Sequence, residues 1–352
     1  MKGQSRAIKV FVGLSGGVDS AVSAALLLQQ GYDVTGVFIK ITVEGYPCTA
    51  GEDRIDAMRA AAHLRIPFME IDLSREYQER VFAESIREFE RGRTPNPDAL
   101  CNREIKFGLF YEWARKNGAD IVATGHYAQV RDGMLYMGAD SDKDQSYFLW
   151  AVPERVLRHA LFPIGRLKKP QVRSLARTFG LPQAERKDSQ GLCFLGPISV
   201  GDMLKKELHP APGRVLSEEG EEIGAHEGAA LYTMGQRHGF ALFKQGPEAL
   251  PQYVIAKNLE ANTITVSENK FPSGATRTAL SLSDINWIGA VESGPCLARY
   301  RYRQRLIEAE LDAKAGTVIL SEPHYAPAGQ SLVAYKQDRC LGGGVIREVR
   351  VY

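Results

Sequence analysis

The stretch Ile8-Lys9-Val10-Phe11-Val12-Gly13-Leu14-Ser15-Gly16-Gly17-Val18-Asp19-Ser20 decides the fold. Ile8 to Val12 is an apolar run of strand length, and Ala21 to Gln30 carries a helical pattern that Gly31 ends. A strand, a tight Gly-Gly turn and a helix N-terminus together make an anion site. The glycines let the backbone come close, free N–H groups point at the ligand, and the helix dipole favours negative charge. Ser15 and Ser20 add hydroxyl donors, and Asp19 is placed to hold a metal ion through water. The stretch is not a Walker A loop, because no Lys follows the second Gly, and it is not Gly-x-Gly-x-x-Gly.

Outward from this loop, strands and helices alternate. Val34 to Lys40 and Phe68 to Leu73 read as strands, with a helix over 52–65 between them. Ser74 can cap a helix that runs to Glu90 and stops at Gly92, and a helix over 98–117 leads to the strand Asp120 to Thr124. Such alternation implies parallel βαβ units covered on both faces, with ligands at the carboxyl ends of the strands. That rim would carry the loop, Ile39 and Gly125-His126. Asp132-Gly133 signals a hairpin between 127–130 and 134–137. A linker, His209-Pro210-Ala211-Pro212-Gly213, ends the α/β pattern. From Arg214 onward, short strands are separated by Gly, Pro and Asn turns, the pattern of a small β domain and then a closed barrel. The expected division is 1–208, 209–272 and 273–352.

The 352 residues, 44% hydrophobic, suffice for one large core or two to three domains, and the net charge of +2 offers no global field for a polyanion, which must find a local basic patch. No apolar run is long enough to span a membrane, and residues 1–6 are too short and polar for a signal peptide; a soluble cytoplasmic protein is expected. Five scattered cysteines (48, 101, 193, 296, 340) are neither a disulfide framework nor a zinc site. Two of them lie in polar surroundings. In Thr94-Pro95-Asn96-Pro97-Asp98-Ala99-Leu100-Cys101-Asn102, Asn96 suits the helix cap, Pro97 the first position and Asp98 the first turn. Cys101 then lies one turn in, where the dipole lowers a thiol pKa. Cys193 follows Asp188-Ser189-Gln190-Gly191, a loop-like run near the charge of Lys187. On the residues alone, each cysteine stays open between a buried thiol and a nucleophile.

Ser-Gly-Gly-Val-Asp-Ser (15–20) after a hydrophobic strand resembles the PP-loop of the ATP-pyrophosphatase group, whose adenine nucleotide alpha hydrolase-like fold has a Rossmann-like parallel sheet. Further stretches follow in order: 92–102, Ala-Thr-Gly-His-Tyr (123–127), Lys-Asp-Gln-Ser-Tyr-Phe-Leu (143–149) and Lys-Asp-Ser-Gln-Gly-Leu-Cys-Phe-Leu-Gly (187–196). Tyr-Thr-Met-Gly-Gln-Arg (232–237), Arg-Tyr-Arg-Gln (301–304) and Pro-Ala-Gly-Gln-Ser (327–331) complete the series. Together they resemble the bacterial tRNA-specific 2-thiouridylase family. Ile39 and Gln190 depart from it, standing where many members carry Met and Thr.

This resemblance implies ATP-dependent 2-thiolation of the wobble uridine of tRNA. Gly13, Leu14, Ser15, Gly16, Gly17, Val18, Asp19, Ser20, Ile39 and Gly125 would bind ATP, with Mg2+ as the accompanying ion. Cys193 would carry a persulfide and Cys101 would be the second, nucleophilic cysteine, the two joining as a disulfide after sulfur delivery. Asn96, Pro97, Asp98 and His126 would meet the target base, and Lys143, Asp144, Gln145, Arg301, Tyr302 and Gln330 the tRNA. The implied partners are the anticodon stem-loops of glutamate, glutamine and lysine tRNAs and a cysteine desulfurase or sulfur-relay protein.

The chemistry fits those residue types. Sulfur can replace the C2 oxygen of uridine only once that oxygen leaves easily, which adenylation achieves with release of pyrophosphate. A persulfide then attacks, or a neighbouring thiolate frees sulfide from it. Asp98 is the expected acid/base for the uridine N3 proton. Alternation over Arg299-Tyr300-Arg301-Tyr302-Arg303-Gln304-Arg305 predicts four arginines on one strand face, suited to a phosphate track. Two other readings compete: another PP-loop ligase, which would not need the cysteines, and a non-catalytic tRNA-binding protein with a vestigial nucleotide loop.

Overall fold

The computed structural model describes residues 7–46, 49–187, 199–244 and 250–352. Strand β1 (Lys9–Gly13) buries Val10, Phe11 and Val12 completely, as an unbroken apolar run requires of a strand covered on both faces. It turns into α1 (Val18–Gln29), which stops at Gly31, a residue in the left-handed region. After β2 (Asp33–Lys40), α2 (Ala50–Leu64) and β3 (Phe68–Asp72) come two longer helical runs, α3 over 74–90 and α4 over 97–116. Each contains a π-helical stretch, Gln78–Phe82 in the first and Asn102–Leu109 in the second. Ser74 is not the cap of α3: it is already helical, and the Asp72 carboxylate accepts from its N–H and its hydroxyl at 3.0 and 2.6 Å. A carboxylate two residues upstream thus takes one of the free first-turn donors, the N–H of Ser74 itself.

Helix α4 feeds β4 (Ile121–Ala123), the hairpin β5 (Ala128–Arg131) and β6 (Met134–Met137) follows, and β7 (Ala160–Leu161) completes a parallel sheet of order β3-β2-β1-β4-β7. Short helices α5 (Ser146–Leu149) and α6 (Glu154–Leu157) precede β7, and α7 (Lys169–Thr178) packs on α1. Helix α8 (Val200–Leu208) leads to the second sheet, β8 (Gly213–Leu216), β9 (Glu222–His226), β10 (Ala241–Leu242), β11 (Tyr253–Asn258) and β12 (Thr263–Ser267), built over Val215, Val254 and Ile264.

Six strands then close a barrel: β13 (Thr278–Trp287), β14 (Gly294–Arg299), β15 (Ile307–Asp312), β16 (Thr317–Leu320), β17 (Ser331–Lys336) and β18 (Arg339–Val351). Their order is β13-β16-β15-β14-β17-β18, and β13 pairs back onto β18 to seal the edge. The architecture read from the sequence is therefore the one observed: a PP-loop α/β unit, a small central β unit and a C-terminal barrel. One element changes allegiance. The Asp132-Gly133 turn forms, both residues at positive φ, but β6 pairs with β18 through Tyr136↔Arg339 and Leu135↔Cys340, so the hairpin extends the barrel sheet.

Candidate active site

The loop after β1 does what its glycines permit. Gly16 stands at φ +76°, and a Cβ there would lie 2.5 Å from the Asp53 carbonyl oxygen. Gly17 occupies the cap position of α1 with no side chain capping the helix, so the first-turn N–H groups face outward as anion donors. Ser15 and Ser20 lie beside them, their hydroxyls 3.3 Å apart, and the Ser20 hydroxyl donates to the Gly17 carbonyl at 3.1 Å. Gly125, past the end of β4, presses on this turn: a Cβ on it would be 2.7 Å from the Ser20 nitrogen. Ile39 lies near the carboxyl end of the neighbouring strand, two residues beyond the Gly13↔Val37 pair, and is buried. Backbone donors, two hydroxyls and a helix dipole form a donor set that fits a polyphosphate.

Two cations that sequence reasoning missed converge on the same turn. Lys169 Nζ lies 2.8 and 2.9 Å from the Asp19 carboxylate oxygens, and the Tyr127 hydroxyl donates to Asp19 at 2.8 Å. Arg186 donates to the Gly16 carbonyl at 3.0 Å and to Asp56 at 2.7 Å, and pairs with Asp53. Asp19 therefore faces a lysine and a tyrosine in this turn. Among the described residues no group of three or more His, Cys, Asp or Glu is placed to hold a metal. The missed signal was a pair of lysines, 168 and 169, at the start of a helix, where the dipole disfavours positive charge.

Asn96 caps α4 as its sequence predicts: its side chain accepts from the Ala99 N–H at 3.1 Å, Pro97 is the first helical residue and Asp98 lies in the first turn. Cys101 is fully buried one turn in, directly before the π-helical stretch. Because α4 feeds β4, its C-terminus lies at the start of the parallel strands and its N-terminus at their carboxyl rim. Cys101 and the phosphate loop thus share one rim. Cys193 and Gln190 fall outside the described residues, as does Cys48. Cys296 and Cys340 are buried, and burial pushes their thiols up to about 11 and about 12, which keeps them protonated and inert.

His126 is buried, its ring against Phe107 and Phe162 and its Nδ1 2.7 Å from the Thr124 hydroxyl. Burial, aided by the charge of Lys106, holds its pKa far below the usual range, so the ring is neutral.

The segment 143–149 and the barrel meet in a sealed contact. Asp144 was expected to face tRNA, but it is buried: its carboxylate accepts from the N–H groups of Gly138 and Ser146 and pairs with Arg299 at 2.5 Å. Arg299 in turn donates to the Tyr335 hydroxyl at 2.8 Å. Tyr147 donates to Gln330 and to the Ser331 carbonyl, both at 3.0 Å, and Asn96 donates to the Ser331 hydroxyl at 3.1 Å. Gln145 accepts from the Tyr127 N–H at 3.0 Å, tying this segment to the rim. The barrel is therefore bonded to the cap of the Cys101 helix.

The four-arginine face does not form. Strand β14 ends at Arg299, and 300–306 is a turn in which Gln304 accepts from the N–H groups of Tyr300 and Arg301. Arg299 is buried while Arg301, Arg303 and Arg305 are exposed, and Arg303 has φ +61° and donates to the Asp142 carbonyl. The turn capture by Gln304 overrides the alternation. Tyr302 packs on Phe148 at 4.7 Å between centroids. Lys143 lies in the same neighbourhood, half-buried, next to Asp144.

Three family models match the chain in succession. The tRNA methyl transferase HUP domain covers residues 8–197, the tRNA methyl transferase PRC-barrel domain 201–268 and the aminomethyltransferase beta-barrel domain 277–346. Among curated proteins, the tRNA-specific 2-thiouridylase MnmA of Lacticaseibacillus paracasei is 42% identical over 96% of this chain and 94% of its own length. The chain belongs to the MnmA family. The MnmA protein of Streptococcus sanguinis is 41% identical, over 96% of this chain and 95% of its own. A solved 4-thiouridine synthetase–RNA complex with bound ATP is 19% identical, covers 56% of this chain and 49% of its own, and has a TM-score of 0.35, too slight a likeness to bear on function. No helix among the described residues is long and apolar enough to cross a membrane.

Proposed function

We propose that this protein is an ATP-dependent tRNA-uridine 2-sulfurtransferase that replaces the C2 oxygen of a wobble uridine by sulfur. The observation that carries the reading is that Cys101 and the Ser15–Ser20 turn lie at the same carboxyl rim of the parallel sheet, Cys101 in a helix whose cap is bonded to the barrel. Membership of the MnmA family supports it.

ATP, as co-substrate with its Mg2+, supplies the adenylyl group that turns the C2 oxygen into a leaving group. The chain's own residues do the rest. The loop 13–20 and Gly125 grip the phosphates, and Ile39 lines the nucleotide site. Asp98 takes the N3 proton of the uridine, whose base is splayed from the loop toward Asn96, Pro97 and His126. Neutral His126 offers a hydrogen bond without charge. Cys193 brings sulfur as a persulfide, Cys101 attacks or resolves it, and the disulfide that results needs reductant at each turnover. Residues 1–208 carry this chemistry, 209–272 form a spacer, and 273–352 hold the RNA through Arg301, Tyr302 and Gln330, with Lys143 and Gln145 beside them. The expected substrates are glutamate, glutamine and lysine tRNAs, with a desulfurase or relay protein as sulfur donor.

The test is AMP and pyrophosphate release with purified protein, Mg-ATP and tRNA. Release that depends on tRNA, and that continues in Cys101→Ser and Cys193→Ser while thiolation stops, supports the reading. ATP turnover independent of tRNA, or thiolation by both cysteine variants, rejects it.

A further inference from the structure

The segment Gly92-Arg93-Thr94-Pro95-Asn96, which leads into the Cys101 helix, is held by all three structural units. We infer that Thr94 and Gly329 are positioning residues for sulfur transfer: they set the start of α4 against the barrel, so that a base presented from the barrel meets Asp98 and Cys101 in line. This rests on the sulfurtransferase reading above and goes beyond it by giving a task to residues that the chemistry itself does not employ.

Each unit makes a contact of a different kind. Within the α/β unit, the Arg93 N–H donates to the Glu88 carbonyl at 2.9 Å and ties the segment to α3. From the barrel, the Ala328 carbonyl accepts from the Thr94 N–H at 2.8 Å, and the Ser331 hydroxyl accepts from Asn96 at 3.1 Å. Gly329, between those two, is buried at φ +90°. A Cβ on it would lie 2.9 Å from Arg93 Cβ and 3.0 Å from the Thr94 nitrogen. From the central unit, the Thr233 hydroxyl lies 3.4 Å from that of Thr94. Leu259 packs so closely on Gly92 that a Cβ there would meet its Cδ1 at 2.8 Å.

The barrel reaches this end of α4 through few atoms. A cavity of about 340 Å³ is lined by Asn96, Ala99, Leu100 and Arg103 on the helix side and by Ser283 and Arg347 on the barrel side. At helical spacing those four helix residues share one face, and Cys101 falls on the other. With open space there, the contacts at 94–96 carry the register between helix and barrel. The loop 327–331 also carries Gln330, the RNA contact proposed above, whose side chain accepts from the Tyr147 hydroxyl and the Ser331 N–H, each at 3.0 Å. One short loop therefore places both an RNA contact and the cap of the Cys101 helix. A misplacement of about 1 Å at such a junction is worth about 100-fold in rate. It acts on the reacting geometry and not on affinity, so its cost falls on kcat and spares KM.

Steady-state thiolation by the full chain tests this, with Mg-ATP, a persulfide source and glutamate tRNA as the varied substrate. Gly329→Ala, whose methyl would push Thr94 from the barrel, should lower kcat about 10–100-fold and leave the KM for tRNA within about twofold. Thr94→Val keeps the shape of the side chain without its hydroxyl and should lower kcat severalfold, while Thr94→Ser should restore it. Should Gly329→Ala not fold, the two Thr94 variants decide alone. Wild-type kcat in both Gly329→Ala and Thr94→Val would overturn the inference. So would a raised KM at unchanged kcat, the mark of an RNA contact alone, or a Thr94→Ser protein as slow as Thr94→Val. A wild-type protein that forms no 2-thiouridine would overturn the sulfurtransferase reading and this inference with it.

Discussion

Two carboxylate–cation pairs invite comparison. Asp144–Arg299 joins the 143–149 segment to the barrel with side chains 0% and 4% exposed, and hydroxyls and backbone N–H groups fill their remaining valences. Asp19–Lys169 lies at the Ser15–Ser20 turn with side chains 31% and 12% exposed. The first pair has nowhere to go. The second keeps contact with solvent. Burial distinguishes the two, even though both are carboxylate–cation pairs at nearly the same distance.

Removing half of the sealed pair should give the largest loss. Arg299→Met should cost about 3–5 kcal/mol, because it leaves a buried carboxylate uncompensated, and a urea titration should move accordingly. If Lys169→Met proves equally costly, the contrast between the pairs fails. A smaller effect comes from acid. His126 is held neutral in the folded protein, so below its unfolded pKa the unfolded chain takes up a proton that the folded one refuses. Stability should be lost as pH falls from about 6.5, reaching about 1.4 kcal/mol one unit lower, with no contribution above that window. His126→Phe should flatten the profile; an unchanged profile would mean that the ring is not held neutral. Next, Asn96→Ala should cost about 1 kcal/mol by uncapping α4 and breaking its bond to Ser331, read in the same titration. Smallest in free energy, Arg301→Glu should weaken tRNA binding severalfold, lower the salt slope by about 1 and leave ATP binding alone. Equal tRNA affinity would remove the 300–306 turn from the interface.

The comparison also marks what the sequence could reveal. The rim was legible because its parts are local: a strand, two glycines and a helix start stand within 13 residues of chain, and the Asn96-Pro97 cap is written in adjacent letters. Barrel and parallel sheet followed from periodicity. The joint was not legible, since Asp144 and Arg299 are 155 residues apart and each reads alone as a surface charge. Lys169 was hidden for the same reason. Arg301, Arg303 and Arg305 were misplaced because alternation predicts a strand wherever no turn signal stands, and Gln304 closes its turn through a side chain that no local pattern announces. The hairpin 128–137 was found, but its partner β18 lies two hundred residues on.

One product defines the reaction. Nucleosides digested from glutamate tRNA, after incubation with the protein, Mg-ATP and a persulfide source, should contain 2-thiouridine at the wobble position, absent when ATP is omitted or Cys101 is serine. Wobble uridine that keeps its oxygen under those conditions, with ATP consumed and the protein folded, would contradict it.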